Sequence, residues 1–144
     1  MNDPGTDDAP NADDDAWARG LKLYAAGHHW HAHEAWEALW LRRKGSSEGD
    51  FLRAVIQVAA AMVKAEQGNM AGVRKNLGKA CANLAGAPER CRGIDTRALA
   101  ADCDRCARHA QANGGSFDWR FKPGIRPLPR ASASVRRDPD YRGR

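Results

Sequence analysis

From Phe51 to Val63 every residue except Arg53 and Gln57 is apolar, and no other feature limits the chain as much. A helix that is apolar on all sides cannot lie on a surface, so other segments must wrap it. The run is also short of the roughly 18 apolar residues of a membrane span, and Gln57 interrupts it. A soluble protein with no membrane partner is expected. The chain has 144 residues, 28% of them charged, enough for about one domain around such a core.

Punctuation residues on either side of this run mark further helices. Asp13 to Asp15 place acids before a helix carrying Trp17, Leu21 and Tyr24 that stops near Gly27. A second helix runs from about His29 to Lys44, where Arg42, Arg43 and Lys44 suit the last turn and Gly45 suits the left-handed cap. Ser47 and Asp50 have capping-box-like spacing at the start of the third helix. Gly68 closes that helix and Asn69 caps a fourth, which bears Val73, Leu77, Cys81 and Leu84 and breaks at Gly86 and Pro88. Asp95 or Thr96 opens a fifth, with a stripe of Leu99, Cys103, Cys106 and Ala110. No segment alternates with period two except the trio Phe117, Trp119 and Phe121, which is expected to lie extended across the domain. The predicted class is all-α: a single-domain antiparallel bundle of about five helices around the third, with extended, partly disordered tails.

Charge is arranged in blocks. Residues 1–15 hold six Asp and no Lys or Arg, while residues 113–144 hold eight Lys or Arg against three Asp. The expected division is an acidic disordered tail at 1–15, the bundle at 16–112, and a basic Pro/Arg-rich extension at 113–144, disordered beyond Arg130. The opening residues lack the apolar core of a secretory signal, so the reducing cytoplasm is the expected compartment, and disulfides are not expected there. Cys81, Cys103 and Cys106 continue apolar stripes and read as small core residues. The competing reading is a zinc cluster of Cys103 and Cys106 with His109, Cys81 and Cys91.

The unusual chemistry lies on the second helix. His28 to Trp40 contains four of the five His and three of the five Trp of the chain. At about 100° per residue, Trp30, Trp36, Leu39, Trp40 and Leu41 form one apolar sector, with His33 in its middle and Glu37 beside it. This places His33 and Glu37 facing inward, where every polar atom needs a partner. His29, His33 and Glu37 follow at intervals of four, and His33-Glu34 with Glu37 resembles a zincin motif whose second His is replaced. Three readings follow. His33 and Glu37 hold a divalent metal ion, or Glu37 orients His33 while Glu34 or His29 moves a proton, or the group is a buried network that fixes helix register. The third helix adds a polar line of Arg53, Gln57, Lys64 and Gln67, which is either a solvent stripe or a wall of the same pocket, with Gln57 turned toward His33 and Glu37 and Arg53 or Lys64 holding an anion.

Gly27, Ala32-His33-Glu34 with Trp36-Glu37 and Trp40, Ile56-Gln57-Val58-Ala59, and Gly68-Asn69 with Gly72 occur in this order. Through them the chain resembles the bacterial and archaeal domain-of-unknown-function family numbered 309, over roughly Trp17 to Leu84. The resemblance implies a small all-helical bundle and marks His33, Glu34, Glu37, Trp40, Gln57 and Asn69 as characteristic positions. It implies no reaction. His29 and His31 depart from the run the family often has before its Ala-His-Glu core, and the four Cys fall outside or beside the motifs.

The function expected from these residues is binding of a small ligand or divalent metal ion in a pocket of His33, Glu34, Glu37, Trp40, Gln57 and Asn69. One alternative is a metal-dependent or acid-base hydrolase with Glu34 as base. Another is a nucleic-acid or protein-interaction module, using either the basic end or exposed Trp side chains suited to a homodimer. Solvated tails are preferred to a nucleic-acid arm, since no DNA- or RNA-binding motif accompanies the charge.

Overall fold

A computed structural model describes residues 4–113 and 116–128. Five helices follow in order: α1 (Pro4–Ala25), α2 (His29–Leu41), α3 (Ser47–Glu66), α4 (Met70–Ala85) and α5 (Thr96–Asn113). A two-strand ladder, β1 (Arg90–Cys91) with β2 (Ile94–Asp95), precedes α5, and a 3-10 turn, Trp119–Phe121, follows it. The class is all-α, as the periodicity predicts. Each helix packs on its sequence neighbours, as short connections require.

The apolar run becomes the centre. Phe51, Leu52, Val55, Val58, Ala61 and Met62 of α3 are fully buried, enclosed by Trp36 and Leu39 of α2 and Val73 and Leu77 of α4. Leu99, Cys103, Cys106 and Ala110 extend the core along α5. Trp17 of α1 stacks on Trp36 at 5.5 Å, and the Trp36 indole N–H donates to the Trp17 carbonyl at 3.3 Å. This approach needs Gly20, because a Cβ there would sit 2.0 Å from Trp36 Nε1.

The helix ends largely follow their local signals. Gly27 and Gly45 have φ of 87° and 86°, the left-handed values expected after α1 and α2. The Asn69 side chain accepts from the Gly72 N–H at 2.8 Å and caps α4. At α3 the cap is Ser46, one residue earlier than the expected Ser47, and its hydroxyl accepts from Gly49 N–H at 2.9 Å. Before α5, the Asp95 carboxylate accepts from the N–H groups of Arg97 and Ala98.

Three features depart from expectation. First, α1 opens at Pro4 instead of near the acids at 13–15, and Asp13 is buried. Arg42 and Arg43 pair with its carboxylate, so the charges that suit the end of α2 also serve as counterions for α1. Second, the turn between β1 and β2 places Arg92 and Gly93 consecutively at positive φ, 51° and 81°, which closes a tight hairpin that the helical pattern did not announce. Third, the aromatic trio is not extended, since Trp119–Phe121 winds into a turn capped by Asp118.

The arm around that turn belongs to the packed domain. Pro123 and Ile125 are buried, the Tyr24 hydroxyl donates to the Pro123 carbonyl at 2.5 Å, and Lys122 Nζ donates to the Tyr24 carbonyl at 2.6 Å. The Leu128 N–H donates to the Gly93 carbonyl at 2.8 Å and ties the arm to the hairpin. The Arg-rich end, with Arg130, Arg136, Arg137, Arg142 and Arg144, lies outside the described residues. Among the described residues, no helix is long and apolar enough to cross a membrane.

Candidate functional site

The buried stripe of α2 is His29, Ala32, Trp36 and Leu39. The sector expected from the large side chains was therefore turned too far toward Trp30 and Leu41, which are 54% and 55% exposed. The stripe runs through Ala32, which is fully buried. This rotation exchanges the roles of two histidines. His29 is the inward polar residue, whereas His33 is half-buried and Glu37 exposed.

His33 and Glu37 instead stand on the wall of a cleft of about 280 Å³ between α2, α3 and α4. Trp40 joins them from α2, Arg53, Ile56, Gln57 and Ala60 come from α3, and Asn76 and Lys79 from α4. The polar line of α3 is thus divided by its surroundings. Arg53 and Gln57 face the cleft, as the pocket reading expected, while Lys64 does not line it, its side-chain stem lying beside Gly72. Glu34 is exposed and Asn69 is occupied in capping α4, so neither lines the cleft. Asn76 and Lys79 were missed because they belong to the outward side of α4, which carries no motif when read alone.

Neighbouring contacts decide what the cleft presents. The Arg53 guanidinium lies 5.4 Å from the Trp40 ring and Lys44 lies at the same distance, so cations flank that indole. Gln57 Oε1 accepts from Asn83 Nδ2 at 2.8 Å, which leaves the Gln57 amide N–H groups as its free function. Asn76 Nδ2 donates to the Gly72 carbonyl at 3.0 Å, leaving its oxygen as an acceptor. His33 stacks on Trp30 at 5.0 Å, and His33 Nδ1 is buried without a hydrogen-bond partner among the described residues. The cleft therefore presents cations beside the Trp40 ring and the Gln57 amide on its α3 wall, with Glu37 and the Asn76 oxygen as acceptors.

A second polar centre was not foreseen. His29 Nδ1 meets Glu66 Oε2 at 2.5 Å, Trp119 stacks over the imidazole at 5.6 Å, and Tyr24 packs against its edge. Burial holds the His29 pKa below its ordinary value, against the opposing pull of Glu66, and Lys122 and His28 add to the lowering. A neutral ring that donates from Nδ1 fits this site, because His29 Nε2 is buried with no partner among the described residues.

Among the described residues, no three His, Cys, Asp or Glu side chains are grouped so as to hold a metal ion. His33 and Glu37 by themselves supply fewer than the three or four protein ligands usual for zinc. Where the competing reading placed a zinc cluster, His109 Nε2 accepts from the Asp118 N–H at 3.0 Å and its ring stacks on Phe121 at 4.2 Å. Cys103 and Cys106 are core residues as expected, but Cys91 is buried in the hairpin and Cys81 is only half-buried.

A helical domain with a solvent-open polar cleft across three of its helices is what the fold and site define. Residues 17–76 match the family model of DUF309, a domain of unknown function. The matched span holds every cleft residue except Lys79. No curated protein and no solved structure matches the chain.

Proposed function

We propose that the α2–α3–α4 cleft binds a small organic anion. The observation that carries this reading is that Arg53, held against the Trp40 ring, lines one cleft with Lys79 and the Gln57 amide, while His33 and Glu37 line it from α2. The cations would hold a carboxylate or phosphate, the indole would cover a flat or apolar portion, and Glu37 would accept from a ligand N–H or O–H. A volume of about 280 Å³ suits a small metabolite, since ligand pockets for larger molecules begin near roughly 300 Å³. Binding is the whole of the proposal, and no reaction is assigned. Glu34, the expected base, stands outside the cleft.

The test is a thermal-shift and tryptophan-fluorescence screen of inorganic phosphate, small carboxylates, amino acids and nucleotides, with neutral isosteres beside each. Saturable binding of a carboxylate or phosphate is expected, weakened at least about tenfold by Arg53→Ala, a difference of about 1.4 kcal/mol. Equal binding of neutral isosteres, or a response that survives Arg53→Ala with Lys79→Ala, would remove the anion from the proposal. A near-stoichiometric metal in untagged protein that is lost with His33→Ala would replace it with a metal site.

A further inference from the structure

Where α4 passes α5, two thiols meet. Cys81 is half-buried and Cys103 fully buried, and both are free. Cys81 Sγ lies 3.8 Å from the carbonyl of Ala100, one turn before Cys103 on α5, which sets the Cys81 and Cys103 side chains beside each other. Cys81 also borders a cavity of about 330 Å³ walled by Leu84, Ala87 and Ala100, with the Glu89–Arg97 ion pair among its lining. A small neutral solute can reach the Cys81 sulfur through this cavity, whereas Cys103 lies behind it with no exposed surface.

We propose that Cys81 is a site of oxidation by peroxide and that Cys103 closes the product to a disulfide between α4 and α5. In the first step the Cys81 thiolate attacks one peroxide oxygen. An S–O bond forms, the O–O bond breaks, and the departing oxygen takes a proton to leave as water or an alcohol. Cys81 sulfur is oxidised by two electrons to the sulfenic acid, and the peroxide is reduced by the same two. In the second step the Cys103 sulfur attacks Cys81. The S–S bond forms, the S–O bond breaks, and hydroxide leaves as water with the Cys103 proton. Neighbouring thiols on packed helices need only a short approach to the bonded separation of about 2.05 Å.

The four cysteines differ in the way this chemistry requires. The hydrogen bond from Cys103 favours the Cys81 thiolate and holds that thiol below its ordinary value, against burial. Burial pushes Cys91 up to about 11 and Cys106 up to about 12, and burial together with the Cys81 contact pushes Cys103 up as well. The nucleophile is therefore the accessible thiol, and its neighbour is kept protonated until the sulfenic acid forms. Disulfides made and reduced in turn are the kind found where structural ones are rare.

The full chain is treated with hydrogen peroxide near equimolar with protein, alkylated, and digested with trypsin. Cleavage at Lys79, Arg90, Arg97 and Arg105 puts Cys81 and Cys103 on separate peptides and keeps both apart from Cys91 and Cys106. The expected product is peptide 80–90 linked to peptide 98–105, absent from Cys81→Ser. In Cys103→Ala the link is lost and sulfenic acid at Cys81, trapped with a 1,3-diketone, rises several-fold. A Cys103–Cys106 link, a link between two chains, or oxidation of Cys91 or Cys106 ahead of Cys81 overturns the proposal. So does accumulation of sulfinic acid at Cys81 while Cys103 stays reduced. The wild-type digest alone decides, should Cys103→Ala fold poorly.

Discussion

His29 and His33 stand four residues apart on α2, and each has one buried ring nitrogen with no hydrogen-bond partner among the described residues. What differs is the cover. His29 lies beneath Trp119 of the arm, against Tyr24 of α1 and Glu66 of α3, and is 97% enclosed. His33 has Trp30 of its own helix on one side and the open cleft on the other. Helical spacing says which side chains share a face. Whether that face is closed or left open depends on which distant segment reaches it, and here the arm from residues 116–128 closes one end of α2 and not the other.

The largest expected effect breaks the closed side. Gly20→Ala places a methyl in the Trp36 ring, which has no room to retreat, and should cost about 3 kcal/mol in urea unfolding despite the better helix propensity of Ala. A loss below about 0.5 kcal/mol would mean that α1 and α2 do not pack as closely as described.

A smaller effect separates the two histidines by pH. The folded-state pKa of His29 is lowered, so between that value and the unfolded value of about 6.5 the unfolded chain binds more protons. The His29 contribution to stability is therefore fully present above about pH 6.5 and is lost as pH falls from there toward the folded-state pKa. Thermal melts of wild type minus His29→Gln should show this slope. A flat difference across that range would remove His29 as a buried neutral group.

The smallest effect on stability is expected on the open side. His33→Ala and Glu37→Gln should each stay within about 0.5 kcal/mol of wild type, since both side chains line a cleft open to solvent and lie outside the buried stripe of α2, while weakening ligand response in the cleft. A loss of several kcal/mol in either variant would show that the pair holds the bundle together and would favour a structural network over a binding site.

Much of the fold was legible because its signals are local. Gly27, Gly45 and Asn69 mark helix ends through their own backbone and side-chain chemistry, and most of the apolar side chains from Phe51 to Val63 are buried wherever their partners come from. The cleft was legible only in part. His33, Glu37, Trp40 and Gln57 share motifs and faces, but Asn76 and Lys79 are brought to them by the crossing of α4 over α3. Glu34 and Asn69 belong to the same motifs and serve elsewhere. Weighting α2 by its large Trp side chains misplaced the buried stripe, because Ala32, fully buried within it, contributes little hydrophobic area of its own.

The sequence by itself determined an all-helical chain, the order and approximate limits of its helices, and a central third helix, since propensity, capping and periodicity act over a few residues. Only the tertiary structure decided which histidine is buried, that Asp13 pairs with Arg42 and Arg43, and that Cys81 meets Cys103. Each of those depends on segments distant in the chain and on which face a neighbour covers, a choice made by packing the whole domain at once.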